Sequence, residues 1–266
     1  LQRYLAWLKN EREYAPKTIH GYFSPVSGFY EDLEATGEIE HDPSEDVSPA
    51  NYADKVTKTE QVTKEQRIWL ETDEVRSLVD NVPAPNLRNR LLVLFMYFTG
   101  LRRQEVSDVK IDDLDREDRR VKVRGKGGKV HTAHWQPELD THLTRWLDLG
   151  KRDGSIYAKE SPYLFVSNSA EKVSGDRITK IIRKAADKAG LQEVLYEDAS
   201  GRNRYKITSH TLRHSYAMHW LQNGGSIEAL SKNMAHNSVT TTEIYGEVLD
   251  KRAKDEYEKF GPKLNI

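Results

Sequence analysis

Residues 207–248 gather side chains able to handle phosphate and protons: His210, Arg213, His214, His236 and Tyr245. Arginine is always charged and grips phosphate with a planar fork. Histidine moves protons near neutral pH, and a tyrosine oxygen is a nucleophile once activated. His210 and Arg213 are spaced so that, in the first turn of a helix, both point to one place near its positive end, which favours a phosphate. His236 and Tyr245 arrive from the following elements, while Arg102 and Lys126 come from far upstream. The set could supply two phosphate clamps, a proton donor, a polar anchor and a nucleophile. That is equipment for covalent chemistry on a phosphodiester.

Plainer readings compete for several of these residues. His210 and His214 have the i, i+4 spacing of a zinc helix, but Thr211 stands where a zinc protease carries glutamate. His214 reads as a packed, structural histidine, and Tyr216, Met218 and Trp220 read as core. Lys126 lies in the run GKGGK, which lacks the phosphate-loop pattern and taken singly is an ordinary hairpin tip. Tyr257 is a second candidate nucleophile, in a charged tail away from the cluster.

The elements that must position these groups follow from periodicity and punctuation. Leu1, Tyr4, Leu5 and Leu8 recur at helical spacing, and a second helix is expected from Pro16 to a stop at Gly37, bent or restarted at Pro25. Lys9, Arg12, Lys17, His20 and Tyr22 could face a nucleic-acid backbone or simply form a solvated face. Residues 41–66 carry Pro43 and Pro49, few large apolar groups and mixed charge, the composition of a linker. Thr72 is expected to cap the next helix, and the apolar run 90–99 to form a core helix ending at Gly100. A short helix then places Arg102 and Glu105 one turn apart.

Val121 and Val123, then Val130 and Thr132, alternate with polar residues around Gly125–Gly128, so a β-hairpin is expected with Lys126 at its tip. Residues 137–149 read as a helix, 163–167 as a short strand, 174–189 as a basic helix ended by Gly190, and 197–206 as a loop or small hairpin. Thr208 or Ser209 caps the helix of His210 and Arg213, which stops at Asn223-Gly224-Gly225. Ser226 caps another, and a third, begun by Ser238 and Thr240–Thr242, bears Tyr245. The fold class is therefore mainly α with a small antiparallel β-sheet.

Composition narrows the classes. With 266 residues the chain has room for two domains. It has no cysteine, which excludes disulfides, thiolate metal sites and cysteine nucleophiles. Net charge is −1 with 31% charged residues, so a nucleic-acid surface must be local. No apolar run approaches the roughly 20 residues of a membrane span, and a cytoplasmic protein is expected. The sequence begins at Leu1, within a helical pattern, so the first domain is expected to be incomplete at its N-terminal end.

Taken together, TGLRRQEV around Arg102, GKGGK around Lys126, HTLRH around Arg213 and AHNSVTTTEIYGEV through Tyr245 resemble the tyrosine recombinase (phage integrase) family, close to its Xer-like branch. The order of these boxes and the gaps from Arg213 to His236 and on to Tyr245 are similar to the family's. The resemblance implies that Arg102 and Arg213 bind the non-bridging oxygens of the scissile phosphate, and that Tyr245 attacks phosphorus to leave a 3′-phosphotyrosyl link. It implies further that Lys126 protonates the leaving 5′ oxygen, His210 helps take the tyrosine proton, His236 hydrogen-bonds the phosphate and Glu105 supports the arginine site. No metal, ATP or other cofactor is implied. Ala235 stands where the family usually has glycine.

The same resemblance implies a helical core-binding domain over 1–42, with two evident helices where the family normally has more. It implies a linker at 43–66, a catalytic domain at 67–249 and a tail at 250–266 that docks on a neighbouring subunit. The implied partners are a double-stranded DNA recombination site and further copies of the chain, in a tetramer on paired sites. Two other readings stay open: a type IB topoisomerase-like enzyme, which shares the tyrosine and clamp, and a non-catalytic helix-turn-helix DNA-binding protein, suggested by the helices meeting at Asn223-Gly224-Gly225.

Overall fold

A computed structural model describes residues 1–14, 16–52, 69–125, 128, 130–197 and 201–235. It divides into two compact units, Leu1–Arg67 with Val194–Tyr205, and Ile68–Glu193 with Lys206–Ile266. Helices dominate, and the sheets are small and antiparallel, the mainly α class with a little β that the periodicity predicts. No described helix is long and apolar enough to cross a membrane.

In the first unit α1 (Gln2–Asn10) and α2 (Pro16–Ala35) share a core of Leu5, Leu8, Ile19 and Phe23. Helix α2 runs through Pro25 without interruption. Proline removes the bond to the carbonyl four residues back, here that of Gly21. Residues 42–47, linker by composition, also build this core. Val47 is 9% exposed within it, and the hydroxyls of Ser27 and Ser44 lie 2.9 Å apart. The hairpin of β4 (Val194–Glu197) and β5 (Asn203–Tyr205) groups with this unit.

The second unit is assembled around α4 (Asn86–Thr99), whose Leu91, Leu92, Val93, Phe95 and Met96 are all solvent-inaccessible. A helix apolar around most of its circumference must be covered on several sides. It is covered by α3 (Thr72–Asp80), the three-stranded sheet, α6 (Glu138–Leu147) and the helix Ser209–Gln222, while α7 (Gly175–Lys188) adds Ile178, Ile181 and Ile182 to the same core. Phe95 meets Phe165 edge-on at 5.7 Å and Trp135 at 6.3 Å. Helix α3 is capped one residue earlier than expected, by Glu71, whose N–H donates to Glu74 Oε2 at 2.8 Å. In 163–167 Leu164, Phe165 and Val166 are buried, but the chain bends at Leu164 and Phe165 and makes only an isolated bridge, Tyr163 with Lys110, so the expected strand is absent among the described residues.

The sheet order is β1 (Leu114–Asp115), β2 (Arg120–Arg124), β3 (Val130–His134), antiparallel throughout. The hairpin forms as expected, with one correction to its facing. Val121 and Val123 point inward, but their cross-strand partners are Ala133 and His131, and Val130 is 53% exposed. Because side chains alternate along a strand, Val130 and Thr132 share the outer face.

Candidate phosphate-binding site

Helix α4 ends at Gly100 in the left-handed conformation, φ +65°, with its N–H donating to Met96 O at 3.0 Å. Glycine is required there on two counts. A side chain disfavours that backbone, and a Cβ would sit 2.4 Å from Tyr216 Cδ1. The buried Leu101 fixes the turn, and Arg102 becomes the N-cap of α5 (Arg103–Asp108). Its backbone N–H donates to Glu105 Oε2 at 2.7 Å and its Nη1 to Oε1 at 2.9 Å. Glu105 is 7% exposed while the Arg102 side chain is 41% exposed, so a buried carboxylate holds the base of a guanidinium that reaches outward. Ser107 Oγ donating to Val173 O and Arg103 Nη1 donating to Thr179 Oγ1 fasten α5 to α7.

Thr208 caps α8 (Ser209–Gln222), its Oγ1 accepting from His210 N and Thr211 N. Arg213, one turn along, is 6% exposed. It donates from Nη1 to Gly100 O and from Nη2 to Met234 O, both at 2.7 Å. A guanidinium holds its donors in a fixed plane, so two carbonyl bonds orient it. Met234 is the last residue of α9 (Ile227–Met234), and Ala235 follows at φ +46°. The Ala217, Met218, Leu221, Leu230 and Met234 cluster, with Tyr216 and Trp220 against it, packs α8 on α9. Tyr216, Met218 and Trp220 are thus packing residues, as read from sequence.

His210 stands on the first turn of α8. The protein packed around its ring, then the charges of Arg213, Arg103 and Arg102, push its pKa below the ordinary histidine value. A neutral imidazole can accept a proton, which an imidazolium cannot. Arg102, Glu105, His210 and Arg213 are therefore brought into one electrostatic neighbourhood. Lys126, His236 and Tyr245, the remaining expected site residues, lie outside the described residues, as does the tail 250–266.

His131 is a neighbour that hydrophobic alternation conceals. Burial lowers its pKa most, Glu105 opposes the shift, and Arg213 and Arg102 add to it. Its one sequence signal is position, in the strand that follows GKGGK. Among the described residues no group of histidines and carboxylates is arranged to hold a metal. A cavity of about 670 Å³, lined by Arg76, Leu94, Tyr97 and His142 among others, includes none of the site residues. Arg102 instead sits at the N-cap of α5 and Arg213 in the second turn of α8.

Fold and site together define a helical unit in which a buried guanidinium, Arg213, braces the turn that carries an exposed one, Arg102. The phage integrase family matches residues 68–252. The chain is 34% identical to tyrosine recombinase XerA of Pyrococcus furiosus over 194 residues, covering 71% of this chain and 60% of that protein. It is 25% identical to tyrosine recombinase XerD of Listeria innocua over 263 residues, covering 98% of this chain and 81% of that one. A crystal structure of XerA recombinase superposes with a TM-score of 0.59 at 25% identity, over 99% of this chain and 83% of the other. The Tn1549 transposon integrase, in complex with transposon right end DNA, gives 0.72 at 17% identity over 98% and 84%, a likeness of fold alone. The chain belongs to the phage integrase family, and its likeness within it is to the Xer tyrosine recombinases. It spans 60% of the length of the Pyrococcus relative.

Proposed function

We propose that the chain is a site-specific DNA recombinase that cleaves and rejoins DNA through a 3′-phosphotyrosyl intermediate. The observation that carries this is the bond from Arg213 to Gly100 O, which sets a buried guanidinium against the turn bearing Arg102, with His210 in the field of both. Two guanidiniums stabilise the charge that grows on the non-bridging oxygens as phosphorus becomes pentacoordinate. Tyr245 Oη forms the new bond to phosphorus, the bond to the 5′ oxygen breaks, and Lys126 gives that oxygen its proton. Neutral His210 takes the proton from Tyr245, whose ordinary pKa of about 10 is too high for free ionisation. His236 hydrogen-bonds the phosphate. The phosphotyrosyl link conserves the energy of the phosphodiester, so rejoining runs the same steps backward with neither ATP nor metal.

The family likeness supports assigning DNA contacts to the helical module at 1–42, chemistry to 67–249, with 43–66 as the linker, and subunit docking to 250–266 in a cytoplasmic tetramer on paired sites. The decisive experiment incubates the protein with a nicked suicide duplex carrying its recombination site and looks for a denaturation-resistant adduct. An adduct formed by the wild type, lost in Tyr245→Phe and reduced in Arg213→Ala, is expected. A folded, DNA-bound wild type that forms none would favour the non-catalytic binding protein, and an adduct persisting in Tyr245→Phe would remove Tyr245 from its role.

A further inference from the structure

His131 has no part in the scheme above, yet its placement is unusual. It occupies β3 directly opposite Val123, and cross-strand partners lie on the same face of a sheet. Val123 and Glu105 line one cavity of about 230 Å³. The His131 ring shares the face of Val123 and feels the charge of Glu105, and its Nε2 is buried with no hydrogen-bond partner among the described residues. A buried polar atom without a partner is uncommon in a native structure and asks for a reason. The carboxylate beside it supplies one. Among the described residues Glu105 is held through its two oxygens by Arg102, accepting from its backbone N–H and its Nη1. When the Arg102 guanidinium turns to a phosphate, Glu105 Oε1 loses its side-chain donor while remaining buried.

We propose that His131 is a positioning residue for the arginine clamp, its Nε2–H taking over Glu105 when Arg102 engages the scissile phosphate. The two groups are complementary: one is a buried donor lacking an acceptor, the other a buried acceptor about to lose a donor. The ring acts as neutral imidazole with its proton on Nε2, and it touches neither the phosphate nor the nucleophile. Its effect on the reaction passes through Glu105 to Arg102.

This rests on the recombinase reading, and the test separates the two. Single-turnover adduct formation on the nicked suicide duplex is measured for the wild type, His131→Phe, which keeps a ring without nitrogens, and His131→Gln, which returns an N–H near the Nε2 position. His131→Phe should cleave about ten-fold more slowly with unchanged DNA affinity and unfolding midpoint, while His131→Gln recovers most of the rate. In a Glu105→Gln background, His131→Phe should add less than about two-fold, because the partner is already altered. If His131→Phe does not fold, His131→Asn replaces it, carrying its amide nearer the Nδ1 position, and should be slow where His131→Gln is fast. Wild-type rates for the Phe variant, equal rates for Asn and Gln, or losses that multiply fully with Glu105→Gln would overturn the proposal alone. Failure of the wild type to form any adduct would overturn the recombinase reading and this one with it.

Discussion

Arg213 donates from Nη1 to the carbonyl oxygen of Gly100 at 2.7 Å, tying α8 to the turn that carries Arg102. A buried arginine thus sets the backbone of the turn that carries the exposed one. The arrangement depends on a helix end that only glycine fits.

Gly100→Ala should therefore be severe. The new methyl meets the Tyr216 ring at 2.4 Å in a backbone conformation with φ +65°, so strain and overpacking should together cost about 2–4 kcal/mol. Urea denaturation measures this. Adding Tyr216→Leu should return part of the loss, because it removes the clash but not the backbone strain. No recovery in the double variant would mean that Tyr216 is not what the methyl meets.

Glu105→Ala removes both acceptors that hold Arg102. As a helix-capping interaction the pair is worth about 1–2 kcal/mol, which should appear as a lower unfolding midpoint. The rate of adduct formation should fall further, by roughly 10–100-fold, because a misdirected guanidinium stabilises the transition state less. A variant that loses stability yet cleaves at the wild-type rate would reduce Glu105 to a cap.

Sequence reading located α4, Gly100, α5 and the Thr208 cap because each is announced locally, by an apolar run, a terminating glycine or a hydroxyl before a periodic stretch. It failed where long-range packing decides. In VHTAH the apolar Val130 faces out while His131 and Ala133 face in, because the register with β2, which puts His131 opposite Val123, decides the face and not the apolar character of each residue. Residues 42–47 look like linker because polar side chains dominate them, yet Asp42 and Ser44 are buried with Val47. Their burial rests on bonds such as Asp42 Oδ1 accepting from Ser44 N at 2.6 Å, which composition cannot register. The bonds from Arg213 to Gly100 and Met234 span elements far apart in the chain, so spacing suggested a phosphate ligand but not a structural brace.

Ala235 offers a gain. It closes α9 at φ +46°, ψ +52°, where an L side chain costs roughly 1–2 kcal/mol that glycine avoids. Glycine's greater freedom in the unfolded chain returns part of that difference. Ala235→Gly should then raise stability by about 0.5–1 kcal/mol, read as a higher urea midpoint at unchanged m-value. A lower midpoint would show that residue 235 does not hold this conformation in solution.

Acid should weaken the second unit before any carboxylate titrates. His131, His142, His210 and His219 all have pKa values pushed below the ordinary 6.5, with burial the leading cause in each. Arginine charges add to it for His131, His142 and His210, while Glu71 opposes it for His219. As pH falls through 6.5 the unfolded chain binds protons that the folded unit refuses. The unfolded state then holds more protons, and stability must drop with falling pH. Each such histidine can contribute a slope of at most about 1.4 kcal/mol per pH unit, ending once its folded form protonates. His41, paired with Asp46 at 3.0 Å in the first unit, has a raised pKa and works in the opposite direction, but it is exposed and its pair is screened by solvent. Asp115, Asp140 and Asp148 have lowered values and enter only in the carboxylate range near 4 and below. Urea unfolding at pH 7.5 and 5.5 therefore isolates the histidines. The midpoint should be lower at pH 5.5, with net proton uptake on unfolding. Equal midpoints would mean that the four rings are as free to protonate in the folded unit as in the unfolded chain.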